Sequence, residues 1–68
     1  MVSVWQKYKH LRDPRLYHLC AIIDGGKAVV LKFYDIHKQY WHYEVINTDA
    51  FEHQITKGLY KLVKRSNR

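Results

Sequence analysis

Two hydrophobic spacings run along this 68-residue chain, one of strands and one of a short helix. Over residues 2–9, Val2, Val4, Gln6 and Tyr8 alternate with Ser3, Trp5, Lys7 and Lys9, the period of a strand with two unlike faces. Asp13-Pro14 interrupts any regular element, because proline lacks a donor and restricts its predecessor. LYHLCAII, residues 16–23, is an apolar run that predicts a buried central strand. Asp24-Gly25-Gly26-Lys27 follows, and its glycines supply the positive φ of a tight hairpin turn. The return strand, 28–36, sets Val29, Leu31 and Phe33 against Val30, Lys32 and Tyr34. Polar residues 37–39 predict a second turn. Residues 40–46 alternate again, with Trp41, Tyr43 and Val45 predicted for the core and Tyr40, His42 and Glu44 for the opposite face. The stretch 16–46 therefore predicts a three-stranded antiparallel meander.

The period changes after residue 46. Asn47-Thr48-Asp49 offers three good N-cap residues, and Asp49 with Glu52 resembles a capping box. Phe51 and Ile55 share one face of a helix predicted over 49–57. Lys57 suits its negative end, and Gly58 the position just beyond it. Residues 59–63 make a last short strand, and 64–68 a polar, basic tail expected to fray.

Five short strands must hide their edges. The predicted fold is mostly β: a small five-stranded SH3-like barrel, or a strongly curled antiparallel sheet, with one short helix before the last strand. The element order resembles that of the SH3-like small barrels, the group that includes KOW and Tudor modules. That resemblance implies a last strand lying beside the first. It rests on element order, and the helix is longer than the single 3₁₀ turn usual in that group.

Sixty-eight residues allow one domain, 1–68, with a modest core. Ten aromatic residues, six of them tyrosines, supply much of its buried area. Cys20 is the only cysteine, which rules out an internal disulfide and fits a reducing, cytoplasmic setting. No apolar stretch approaches the roughly 20 residues that span a bilayer. A basic chain this short reads as a small gene product of the kind phages and other mobile elements carry.

Charge adds the functional signal. Lys7, Lys9, Arg12 and Arg15 against Asp13 give the first fifteen residues +3. Lys57, Lys61, Lys64, Arg65 and Arg68 give the last twelve +5, and the middle is acidic at −2. If the first and last strands pair, this charge gathers on one surface and suits an anionic partner. The leading expectation is a nucleic-acid-binding module for DNA or RNA with low sequence preference. Lys7, Lys9, Arg12, Lys61, Lys64 and Arg65 would contact phosphates, and Trp5, Tyr8 and Tyr60 would stack on bases. The alternative is a small adaptor or inhibitor that docks a protein, acidic or otherwise, through Tyr34, Tyr40 and His42. A homodimer through exposed strand edges is a further expectation.

Chemistry has little support. His18 and Cys20, two apart, could share a strand face as metal ligands or as a nucleophile pair. One cysteine is a poor zinc set, however, and a thiol in an apolar run is inert. Asp35 and Glu44 are predicted cross-strand neighbours, but paired carboxylates need a cleft. No enzyme activity, cofactor or metal is expected.

Overall fold

The computed structural model describes residues 2–63. Five strands, β1 (Lys7–His10), β2 (Leu16–Ile23), β3 (Ala28–Asp35), β4 (Tyr40–Asn47) and β5 (Tyr60–Leu62), form one antiparallel sheet in the order β4-β3-β2-β1-β5. One helix, α1 (Thr48–Thr56), joins β4 to β5. The sheet curls without closing, so β4 and β5 remain as edges. Of the two predicted architectures, the curled sheet is the one formed. The first and last strands pair as predicted, with Tyr8 opposite Leu62, Lys9 opposite Lys61 and His10 opposite Tyr60.

The first strand is shorter than the alternation of residues 2–9 suggested. A turn precedes it: the Gln6 amide donates to the Ser3 carbonyl at 3.3 Å, and Trp5 takes a φ of 75°. Val2 and Val4 still pack against the core. The β2–β3 hairpin forms where the glycines placed it, with Gly25 and Gly26 at φ 61° and 92°. The β3–β4 turn needs no glycine. Asp35 Oδ1 accepts from the His37 and Lys38 amides at 2.9 and 3.1 Å, and Gln39 takes the positive φ of 62°.

Asn47 caps the helix. Its side chain accepts from the Asp49 and Ala50 amides at 2.9 and 3.2 Å. The cap therefore lies two residues before Asp49, and the Asp49–Glu52 capping box does not form. Thr48 ties the helix start to the first hairpin, its amide to the Lys27 carbonyl at 2.8 Å and its hydroxyl to that of Gly26 at 2.7 Å. At the other end, Gly58 has φ 84°, its amide reaches the Ile55 carbonyl, and the Leu59 amide reaches that of Gln54. This paired closure of a helix C-terminus needs a left-handed residue, which glycine supplies without strain.

The concave face of the sheet holds Tyr8, Tyr17, Leu19, Val29, Leu31, Phe33 and Tyr60, all buried, and α1 inserts Phe51 among them. Phe51 lies 5.1 Å from both the Tyr8 and Tyr60 rings. Tyr17 continues the series, 5.5 Å from Tyr60 and 4.9 Å from Phe33. These edge and tilted contacts link β1, α1, β5, β2 and β3 through one aromatic cluster. The tyrosine hydroxyls are placed as well: Tyr8 donates to Gln6 at 2.8 Å and Tyr17 to Asp13 at 3.0 Å.

Phe51 is fully buried. Truncating a buried phenylalanine to alanine costs about 3–5 kcal/mol. That is as much as a core of this size supplies, roughly 3–5 kcal/mol. Phe51→Ala should therefore be largely unfolded at room temperature, with no cooperative urea transition by circular dichroism. A cooperative melt near the wild-type midpoint would show that the cluster contributes little.

Candidate functional site: the convex face of the sheet

The one-to-one β3–β4 register fixes the two faces. Val29 faces Ile46, Leu31 faces Glu44 and Phe33 faces His42 on the concave side. Val30 faces Val45, Lys32 faces Tyr43 and Tyr34 faces Trp41 on the convex side. The β4 alternation therefore runs opposite to the sequence expectation. Trp41, Tyr43 and Val45, predicted for the core, are 43%, 63% and 66% exposed. The turn at residues 36–39 sets this register and with it the face. β4 also lies at the sheet edge, where concave positions such as Glu44 still reach water.

Pairing carries the convex face across the sheet. Lys7 of β1 lies opposite His18 of β2, which lies opposite Lys32 of β3, which lies opposite Tyr43 of β4. In a second row, Lys61 of β5 lies opposite Lys9 of β1, and Lys9 opposite Leu16. No strand residue on this face is acidic, and among the described residues no helix covers it. Lys32 Nζ sits 4.7 Å over the Trp41 ring, and His18 lies 5.6 Å from that ring. Tyr34 meets Trp41 edge-on at 5.4 Å. At one end, Leu16, His18, Tyr34 and Trp41 floor a groove of about 490 Å³ between Pro14 and Ile36. Its rim carboxylates are engaged: Asp13 with Arg15 and Tyr17, Asp35 with His42 and two turn amides.

The electrostatics follow this layout. Burial, then the Lys7 and Lys32 ammonium groups, hold the His18 imidazole below its ordinary pKa of 6.5. On the concave side, burial, the Asp13 hydrogen bond and nearby carboxylates push the Tyr17 phenol up to about 12. Tyr60 is raised by burial and then by the Glu44 and Asp13 carboxylates.

The predicted site residues part company here. Lys7, Lys9 and Lys61 come together on the convex face. Arg12 lies in the β1–β2 loop, its amide on His10 Nδ1. Lys64, Arg65 and the tail 64–68 lie outside the described residues. Trp5 is 75% exposed in the turn before β1. Tyr8 and Tyr60 are corrected: at 2% and 8% exposure their rings are core, closed to a stacking base. The docking trio is corrected too, since Tyr34 is convex while Tyr40 and His42 lie on the concave side, 4.5 Å apart. His18, Lys32, Trp41 and Tyr43 were missed. The signal was present in the β3 alternation, which already set Lys32 opposite the core positions.

The other constellations dissolve. A bulge between Leu19 and Ala21 removes Cys20 from His18's regular spacing, and the thiol donates to the Val30 carbonyl at 3.5 Å. Asp35 pairs with Tyr40 and Glu44 with Leu31, so these carboxylates are not neighbours. Among the described residues, no three metal-ligating side chains gather, and no helix is long and apolar enough to cross a membrane. Compared with family models, curated proteins and solved structures, the chain matches none.

A lowered histidine pKa means the unfolded chain takes up the proton first as pH falls. Stability should therefore drop as pH falls from about 6.5 through the His18 midpoint, and level off below it. His18→Gln should remove that part of the pH dependence, read as the difference between the two proteins' urea midpoints across the window. Parallel curves would show that neither burial nor the Lys7 and Lys32 charges depress His18.

Proposed function

We propose that the protein binds single-stranded nucleic acid across the convex face of its sheet, with little sequence preference. The carrying observation is the row Lys7–His18–Lys32–Tyr43 beside the Lys9–Lys61 pair, on a face to which no strand residue presents an acid. Like charges directly opposite one another destabilise a sheet. A surface that keeps them is suited to an anion that offsets them. Trp41, Tyr43 and Tyr34 supply exposed π-faces among these cations, and bases stack on such rings whatever their identity. The groove floored by His18, Tyr34 and Trp41 is roomy enough to admit a base.

The mechanism is binding without chemistry. Lysine ammonium groups contact successive phosphates as point charges. The rings stack the bases, which favours a single strand over a duplex whose bases are already stacked. No element on this face is shaped to read base edges in a groove, so sequence preference is low.

Fluorescence anisotropy with labelled single strands and duplexes tests this. Four lysines in contact give a log–log salt slope of about −3 on a single strand. Lys7→Glu with Lys61→Glu should weaken binding more than tenfold and flatten the slope. Trp41→Ala should weaken binding by about 1–3 kcal/mol, the usual worth of one stacked base. Binding confined to low salt and indifferent to these changes would overturn the reading.

A further inference from the structure

The two sheet edges are built differently. β5 is three residues long, with Lys61 at its centre. β4 is eight residues long, YWHYEVIN, without a lysine, arginine or proline, and Glu44 is its only formal charge. Short edges and edge lysines block strand addition, and a long edge of β-branched and aromatic residues invites it.

The backbone phase of the β4 edge is fixed. The Thr48 amide bonds the Lys27 carbonyl, and the register runs without a shift from Ala28–Asn47 to Asp35–Tyr40. Even-numbered β4 residues therefore exchange their hydrogen bonds with β3. Trp41, Tyr43 and Val45 turn their N–H and C=O groups outward, three donors and three acceptors, and among the described residues no strand lies beside them.

We propose that this edge pairs with the same edge of a second copy, antiparallel about a two-fold axis through Tyr43. That register pairs the outward groups of Trp41, Tyr43 and Val45. It sets Tyr43 opposite Tyr43 and Trp41 opposite Val45 of the second copy on the convex side. On the concave side it sets His42 opposite Glu44 and Tyr40 opposite Ile46. Aromatic, aromatic–β-branched and imidazole–carboxylate pairs are the kinds that stabilise neighbouring strands. Other registers do worse. Centring on Glu44 puts two carboxylates face to face, and centring on His42 sets two imidazoles together and strands the Val45 amide. The sequence around Tyr43 is thus self-complementary, as a two-fold interface requires. The product is a ten-stranded sheet whose convex faces are continuous. This inference stands whether or not that face binds nucleic acid.

Sedimentation equilibrium of the full chain should show a mass rising with concentration from 8.3 kDa toward twice that value. Tyr43→Glu puts two carboxylates on the axis and should hold the chain at monomer mass, with its circular dichroism unchanged. For register, single cysteines are placed in a Cys20→Ala background. Directly opposite residues of a hydrogen-bonded pair lie about 5.5 Å apart at Cα, within disulfide reach. Two copies of residue 41 would lie four residues, about 13 Å, out of step. Tyr43→Cys should therefore cross-link to itself on oxidation and Trp41→Cys should not. Monomer mass at every concentration, a dimer that survives Tyr43→Glu, or equal cross-linking at both positions would overturn the proposal.

Discussion

The edge-on contacts of Phe51 with Tyr8 and Tyr60, 5.1 Å each, tie the helix to two strands that are far apart in sequence and adjacent in the sheet. Five strands this short cannot bury both faces, and the described residues hold one α-helix. That helix covers the concave side alone. Edge-to-face aromatic pairs add about 0.5–1.5 kcal/mol each beyond the area they bury. In a domain whose core supplies only roughly 3–5 kcal/mol, that increment is a substantial share of the total. The two helix ends are fixed to match, by Asn47 at the start and Gly58 at the close. Phe51 is thereby aimed into the curl.

Covering one face leaves the other bare, and the rest of the molecule's character follows. The tyrosines the sequence suggested as stacking platforms are consumed by the core. Of the rings left over, Trp41, Tyr43 and Tyr34 fall on the bare face among Lys7, Lys9, Lys32 and Lys61. Lys7 and Lys9 near one end of the sequence and Lys61 near the other are gathered in space because β1 pairs with β5. The convex face and the β4 edge share residues. Tyr43 offers its ring to the face and its backbone to the edge, so pairing two copies would lengthen the same surface.

Much of the fold was legible because its signals are local. Gly25 and Gly26 allow a left-handed turn that few residues tolerate. Val29, Leu31 and Phe33 state their face without ambiguity. Gly58 marks the helix end by its φ. What was not legible depended on register. Trp41, Tyr43 and Val45 are as hydrophobic as any core strand, yet the turn ending at Gln39 locks them outward. The Ser3–Gln6 turn shortens the first strand in a stretch whose alternation reads as one strand. Barrel closure was also beyond local reading, since it depends on whether β4 can meet β5, and the helix stands between them. The candidate site was half legible: its terminal lysines came from charge clustering, and its rings were assigned to the wrong side.

The central claim is that the bare convex face is where an anionic, base-bearing ligand lies. The most direct measurement is a heteronuclear NMR titration with a short single-stranded oligonucleotide, following both the amides and the His18 imidazole. The account predicts shifts confined to Lys7, Lys9, His18, Lys32, Trp41, Tyr43 and Lys61. It also predicts a His18 midpoint that climbs back toward 6.5 as phosphate offsets Lys7 and Lys32. Shifts centred on α1 or the concave side, with the His18 midpoint unmoved, would contradict it.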